Sequence, residues 1–306
     1  MSEVCKNNSN YCSKYKRASA ALRGSAMPAL DVKTVISKGM GAGPLRTLLT
    51  DLMPHIDDML EGTDKGDTPL ALAIRHDNGE ATRLLLSEGA DPNAASKTGN
   101  PPLFIACTDG RTQMVKMLLE AKASANYASE DGITALHRAA FAGRDECVKL
   151  LLKAGAKIGH ADVSGATALH LAARNGHVKV VRLMLKAGAP VDAKTTDGGA
   201  TPLHLAAKHG HPECIRELVG AKGVEVDAPA TNGVTALHLA CQAGHGRVVS
   251  LLIDAKANID AVDKDGSPPL FYADVQNQQQ CVKILTKHGA DRNPLGPAQQ
   301  QQQAWW

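Results

Sequence analysis

The chain has 306 residues, of which 3% are aromatic and 21% charged, and its formal net charge is +3. So small a positive excess argues against a nucleic-acid-binding domain, and no apolar run approaches the length of a membrane span. Seven cysteines without paired spacing argue against a disulfide framework and for a reducing compartment.

The charge is unevenly placed: residues 1–45 hold seven Lys/Arg against two Asp/Glu. Residues 1–43 read as a disordered, basic N-terminal segment ending in Gly39-Met40-Gly41-Ala42-Gly43. Its first 30 residues lack the apolar core of a secretory signal, although their Ser and basic content also fits an organelle transit peptide. Ser19 follows Lys16-Arg17-Ala18, a context that basic-directed kinases accept, and is a candidate modification site. Val32–Ile36 look strand-like, and with the glycines after them they have a faint look of a dinucleotide loop. Pro44 stands where the third glycine of that motif belongs and no second strand follows, so a linker is the expectation.

Residues 44–61 carry Leu45, Leu48, Leu49, Leu52, Ile56, Met59 and Leu60 at helical spacing. Pro44 suits a first helical position and Pro54 should break the stripe, so the segment reads as capping helices or a decayed repeat.

Residues 62–294 repeat themselves. Thr68-Pro69-Leu70, Pro101-Pro102-Leu103, Thr134-Ala135-Leu136, Thr167-Ala168-Leu169, Thr201-Pro202-Leu203, Thr235-Ala236-Leu237 and Pro268-Pro269-Leu270 fall in one register, with leucine spacings of 33, 33, 33, 34, 34 and 33. A period of this length marks a stacked solenoid. Within one unit, Asp162–Gly165 is a turn, a first helix starts at Thr167 and runs to about Asn175, and Gly176-His177 breaks it. A second helix from about Lys179 to Ala187 follows, and Gly188 ends it in the left-handed conformation. Cys107, Cys147, Cys214, Cys241 and Cys281 stand where sister repeats carry Ala, Val or Met, which marks them as small core residues. Lys122 and Lys256 replace the helix-ending glycine, at about 1 kcal/mol each. Residues 295–306, with five glutamines and Trp305-Trp306, form a biased tail expected to be disordered.

These units resemble ankyrin repeats, whose T-P-L-H-x-A signature Thr201-Pro202-Leu203-His204-Leu205-Ala206 reproduces. The resemblance covers about seven repeats. It implies an all-α solenoid of stacked helix-turn-helix units with β-hairpin-like loops. It also implies a protein-binding scaffold or adaptor, cytoplasmic or nuclear and monomeric, with no cofactor. Asn93 shares, by the same resemblance, a loop position that asparaginyl hydroxylases modify in this family, beside its plain reading as a turn residue.

Twelve histidines invite a metal reading. His137, His170, His204 and His238 recur one per repeat, and helices lie about 8–10 Å apart, whereas zinc ligands crowd within about 2 Å of one ion. Their expected role is to bond backbone across the repeat. His209-Gly210-His211 shows no third ligand, and no nucleotide-binding, nucleophile-elbow or metalloprotease motif is present. The chain is therefore expected not to be an enzyme.

A partner is expected on the inner helix ends and loop tips. The candidate contact residues are Arg75, Ile133, Phe141, Val163, Arg174, Asn175, Lys208, His209 and Gln242. Phe141, Ile133 and Val163 suggest an apolar patch with a basic strip of Arg174, Lys208 and His209 beside it, which fits an acidic partner segment with an apolar anchor. The alternative is a substrate-recruiting subunit of an enzyme complex. A nucleic-acid role for residues 1–43 is the weakest reading, because basic and aromatic residues are not interleaved there beyond Tyr11 and Tyr15.

Overall fold

The computed structural model describes residues 32–39, 43–46, 56–57 and 67–290. Ser19, most of the expected capping segment and the C-terminal tail lie outside these residues. The chain divides between Ser129 and Glu130 into two compact units.

The described part of the first unit opens with helix α1 (Val32–Ser37). Two helix pairs follow: α2 (Pro69–Arg75) with α3 (Gly79–Ser87), and α4 (Pro102–Asp109) with α5 (Thr112–Glu120). Helix α1 corrects two expectations, since it lies inside the segment read as disordered and is helical where Val32–Ile36 looked strand-like. Val32, Val35 and Ile36 are buried at helical spacing, α1 packs on α2, and the Asn78 side chain donates to the Ile36 carbonyl at 3.3 Å. Burial of an i, i+3, i+4 stripe overrides the β-propensity of these branched side chains. Leu45, in the helical stretch 43–46, is also fully buried.

The described part of the second unit holds five helix pairs: α6 (Ala135–Phe141) and α7 (Asp145–Lys153), α8 (Ala168–Arg174) and α9 (Val178–Lys186), α10 (Pro202–Lys208) and α11 (Pro212–Val219), α12 (Ala236–Ala243) and α13 (Gly246–Asp254), α14 (Pro269–Val275) and α15 (Gln279–Lys287). First helices pack on first helices and second on second, so the core is a continuous layer of Leu, Val, Ala and Cys between the two rows. All five cysteines named above are buried. Helices of seven to nine residues are too short to be stable alone, so each depends on its neighbours.

The loops before the first helices form fingers that bond along the stack. The Val163 N–H donates to Asp131 O at 3.0 Å, Thr196 to Ser164 at 2.8 Å, Thr231 to Gly198 at 3.0 Å and Lys264 to Asn232 at 3.0 Å. Gly165 shows why a finger needs glycine. Its φ is +77°, and a Cβ there would lie 2.7 Å from Thr196 N, leaving no room for any side chain. Lys122 and Lys256 adopt the left-handed conformation as expected, with φ of 67° and 68°.

Candidate interaction surface

The side chains offered to solvent at the C-terminal ends of the first helices are positioned by two ladders of histidines in the second unit. In the first ladder, His137, His170, His204 and His238 are buried. Each ring bonds its own helix cap through Nδ1: the Thr134, Thr167, Thr201 and Thr235 hydroxyls lie at 2.8, 2.9, 2.8 and 2.9 Å. The backbone N–H of each threonine also donates to the same Nδ1, at 3.1–3.3 Å. Through Nε2 each reaches the carbonyl of the next finger: Ala166 and Ala200 at 3.1 Å, Val234 and Ser267 at 3.0 Å. A carbonyl only accepts, so Nε2 carries the proton and Nδ1 accepts from threonine. The neutral Nε2–H tautomer is thereby selected, and burial holds all four rings below the ordinary histidine range against the raising effect of the carbonyl bond.

In the second ladder, His177 Nε2 donates to Phe141 O at 2.9 Å, His211 to Arg174 O at 2.8 Å and His245 to Lys208 O at 3.2 Å. The orphan carbonyls at the ends of α6, α8 and α10 are thus satisfied by the following repeat. Gly176 belongs to this device, because a Cβ on it would meet the His211 ring at 2.6 Å. The carbonyls so fixed belong to three of the expected contact residues.

At those ends Phe141 is 54% exposed, and Arg174, Lys208 and Gln242 are exposed beside it in repeat order. Val275, at the same position of the last pair, is 62% exposed, next to an exposed Asp274. Among the described residues neither Arg174 nor Lys208 is in an ion pair. His209 is exposed, and its ring stacks on that of His211 with centroids 6.5 Å apart. Partial burial, then the charges of Arg174, Lys208, His211 and His245, lower its pKa. The strip is electropositive, with no carboxylate among the groups acting on His209.

Other expected contact residues fall elsewhere. Arg75 lies in the first unit, where its guanidinium grips Asp67 at 2.7 and 3.2 Å, so the group is already engaged. The Asn175 side chain donates to Leu171 O at 2.8 Å and closes α8. Val163 is 69% exposed on its finger, and Ile133 is half-buried on the preceding one. Both precede a first helix, whereas Phe141 ends one. About 10 Å of helix separates Ile133 from Phe141, so the apolar residues form two rows and not one patch. Asn93 accepts from Ser124 N through its side-chain oxygen at 2.8 Å, an interaction of the turn-residue kind.

Sequence reasoning missed a further row. Leu171, Leu205 and Leu239 are half-buried, each three residues before Arg174, Lys208 or Gln242 and therefore on the same helix face. Their partial exposure follows from that i, i+3 relation, which the sequence already contained.

Comparison with known proteins bears on the whole array. The family model for ankyrin repeats matches in three copies, over residues 80–162, 158–230 and 221–294. A stretch of 36 residues is 53% identical to the E3 ubiquitin-protein ligase KEG of Arabidopsis thaliana; it covers 12% of this chain and 2% of that protein.

Proposed function

Since the chain belongs to the ankyrin-repeat family, we propose that it is a non-enzymatic scaffold or adaptor that binds a protein partner along the inner helix ends of its second unit. The observation that carries this reading is the row of Phe141, Arg174 and Lys208. A half-exposed aromatic stands beside two exposed cations that are in no ion pair among the described residues, while the carbonyl of each is anchored from behind by a histidine. Aromatic and arginine side chains are the residues that dominate binding energies at protein interfaces. A surface held this firmly loses little entropy on binding, so modest contacts suffice.

The partner segment is acidic, with an apolar side chain that meets Phe141. Placement in the cytoplasm or nucleus, a monomeric state and modification of Ser19 or Asn93 belong to the same proposal. The test is affinity purification with the wild type and the Phe141→Ala/Arg174→Ala variant side by side. A protein retained by the first should be lost by the second, with affinity reduced by more than about 2 kcal/mol and an unchanged melting curve. Equal retention would rule this surface out.

A second reading is a substrate-recruiting subunit of an enzyme complex. The short likeness to the KEG ligase is the observation that bears on it. Its 36 residues are about one repeat long, so it supports a shared repeat more than a shared activity. Ubiquitin-ligase activity co-purifying with the wild type and absent from the variant preparation would favour it.

A further inference from the structure

Three imidazoles and two side-chain cations cluster where α8 and α10 end. His209 follows Lys208 as the cap residue of α10, and its exposed ring stacks on that of His211 with the two planes 19° apart. The His211 ring is itself fixed, because its Nε2 donates to Arg174 O at 2.8 Å and the ring covers Gly176, where a Cβ would meet it at 2.6 Å. His245 bonds Lys208 O in the same way at 3.2 Å. His209 is thus held beside Arg174 of α8, Lys208 of α10, His211 at the start of α11 and His245 at the start of α13. The charged groups that act on it are those four, and all are basic. The end of α12 brings Gln242, which is uncharged. The one carboxylate in the first turns of α11 and α13, Glu213, is in an ion pair with Arg247 at 3.0 Å.

In the free chain, partial burial and these cations disfavour an added charge on the ring, which therefore stands neutral near pH 7. A carboxylate segment laid on Arg174 and Lys208 reverses that field: it cancels the repulsion and offers an acceptor to a ring N–H. Imidazolium, with two donors and no acceptor, then suits the bound state, and neutral imidazole the free one. We propose, building on the reading above, that the acidic partner segment is taken up together with one proton on His209, so that the surface grips it more firmly in a more acidic medium. Linkage sets the sign of the effect. Above the bound-state pKa neither the free chain nor the complex carries the proton, and affinity is level. As pH falls through the interval between the bound and free values only the complex carries it, and affinity rises by at most about tenfold per pH unit. Below the free-state value both carry it, and affinity is level again.

The probe is a rhodamine-labelled synthetic peptide of six Glu followed by two Leu, whose carboxylates stay ionised above about pH 6. Its binding to the full chain is read by fluorescence anisotropy at low ionic strength from about pH 7.5 to 6, with circular dichroism at each pH to show that the fold is intact. Affinity should rise at least about threefold across that interval, and His209→Gln should bind the peptide with an affinity that does not change with pH. In proton NMR, the ring Cε1–H signal missing from that variant should titrate at higher pH in the wild type with saturating peptide than without it. This wild-type titration decides the matter even where the variant binds too weakly to follow. A wild-type affinity level with pH, a His209 signal unmoved by the peptide, or an undiminished rise in His209→Gln would overturn the proton on His209. The acidic-segment reading would still stand in each of these cases if Arg174→Glu/Lys208→Glu abolishes binding. A peptide that the wild type does not bind, or binds no better than the charge-reversed variant does, would overturn both.

Discussion

At the scale of single residues, the side chains that look chemically active are committed to structure. The four buried histidines serve as neutral bridges between a helix cap and the next finger, so protonation costs them the acceptor at Nδ1. Their folded-state pKa lies below the unfolded value of about 6.5. The unfolded chain therefore binds more protons in the interval between the two values, and stability is lost as pH falls below about 6.5. Urea midpoints should be level from pH 8 to 7 and decline from about pH 6.5 to 5, above the range where ordinary carboxylates titrate. A midpoint unchanged or rising across that interval would refute the neutral state of these buried rings.

The histidine role was legible from the sequence, because metal ligands cannot be spread one per repeat. A subtler residue pattern was not read. Asp91 N donates to Asp57, Ser124 N to Asn93, Glu225 N to Asp192 and Asn258 N to Asp227, so in these four turns an acidic or amide side chain holds the next turn. Repeat register puts Gly159 at the acceptor position and Pro190, which has no N–H, at the donor position. The rung is absent on both sides at once. Introducing Gly159→Asn and Pro190→Ala together should show a favourable coupling of about 0.5–1.5 kcal/mol in a double-mutant cycle. A coupling near zero would show that the turn holds its register without such a bond.

At the scale of elements, helix boundaries followed the sequence closely. The helix expected to start at Thr167 and run to about Asn175 is Ala168–Arg174, and the one expected from about Lys179 to Ala187 is Val178–Lys186. Threonine caps, prolines at the first helical position and glycines past the ends are local signals, and every repeat keeps at least one of them. Helix α1 failed for the complementary reason. It is six residues long, lies outside the period and consists largely of β-branched residues, so only its burial against α2 makes it helical. That assignment predicts that Ile36→Ala lowers the stability of the first unit by about 2–4 kcal/mol. An unstructured segment would tolerate the change within about 0.5 kcal/mol, and thermal unfolding of the two proteins distinguishes the cases.

At the scale of the whole molecule, the period announced the architecture but not which residues face outward together. Arg75 and Asn175 occupy the positions that the repeat register marks as variable and exposed. Whether a side chain there is available depends on neighbours such as Asp67 and the Leu171 carbonyl, which a one-dimensional pattern does not rank. Phe141, Arg174 and Lys208 kept their expected exposure because the following repeat satisfies their backbone and leaves their side chains unengaged by ion pairs among the described residues. Within each unit neighbouring repeats share one core, so a partner touching several repeats of the second unit meets a surface formed before binding.

The most direct test of this account is hydrogen exchange of the full chain with and without the partner captured by the wild type. Binding along the inner helix ends predicts added protection concentrated in the last turns of α6, α8, α10 and α12, including the amides after Phe141, Arg174 and Lys208. Protection confined to the second helices of the pairs, or to the first unit, would contradict it.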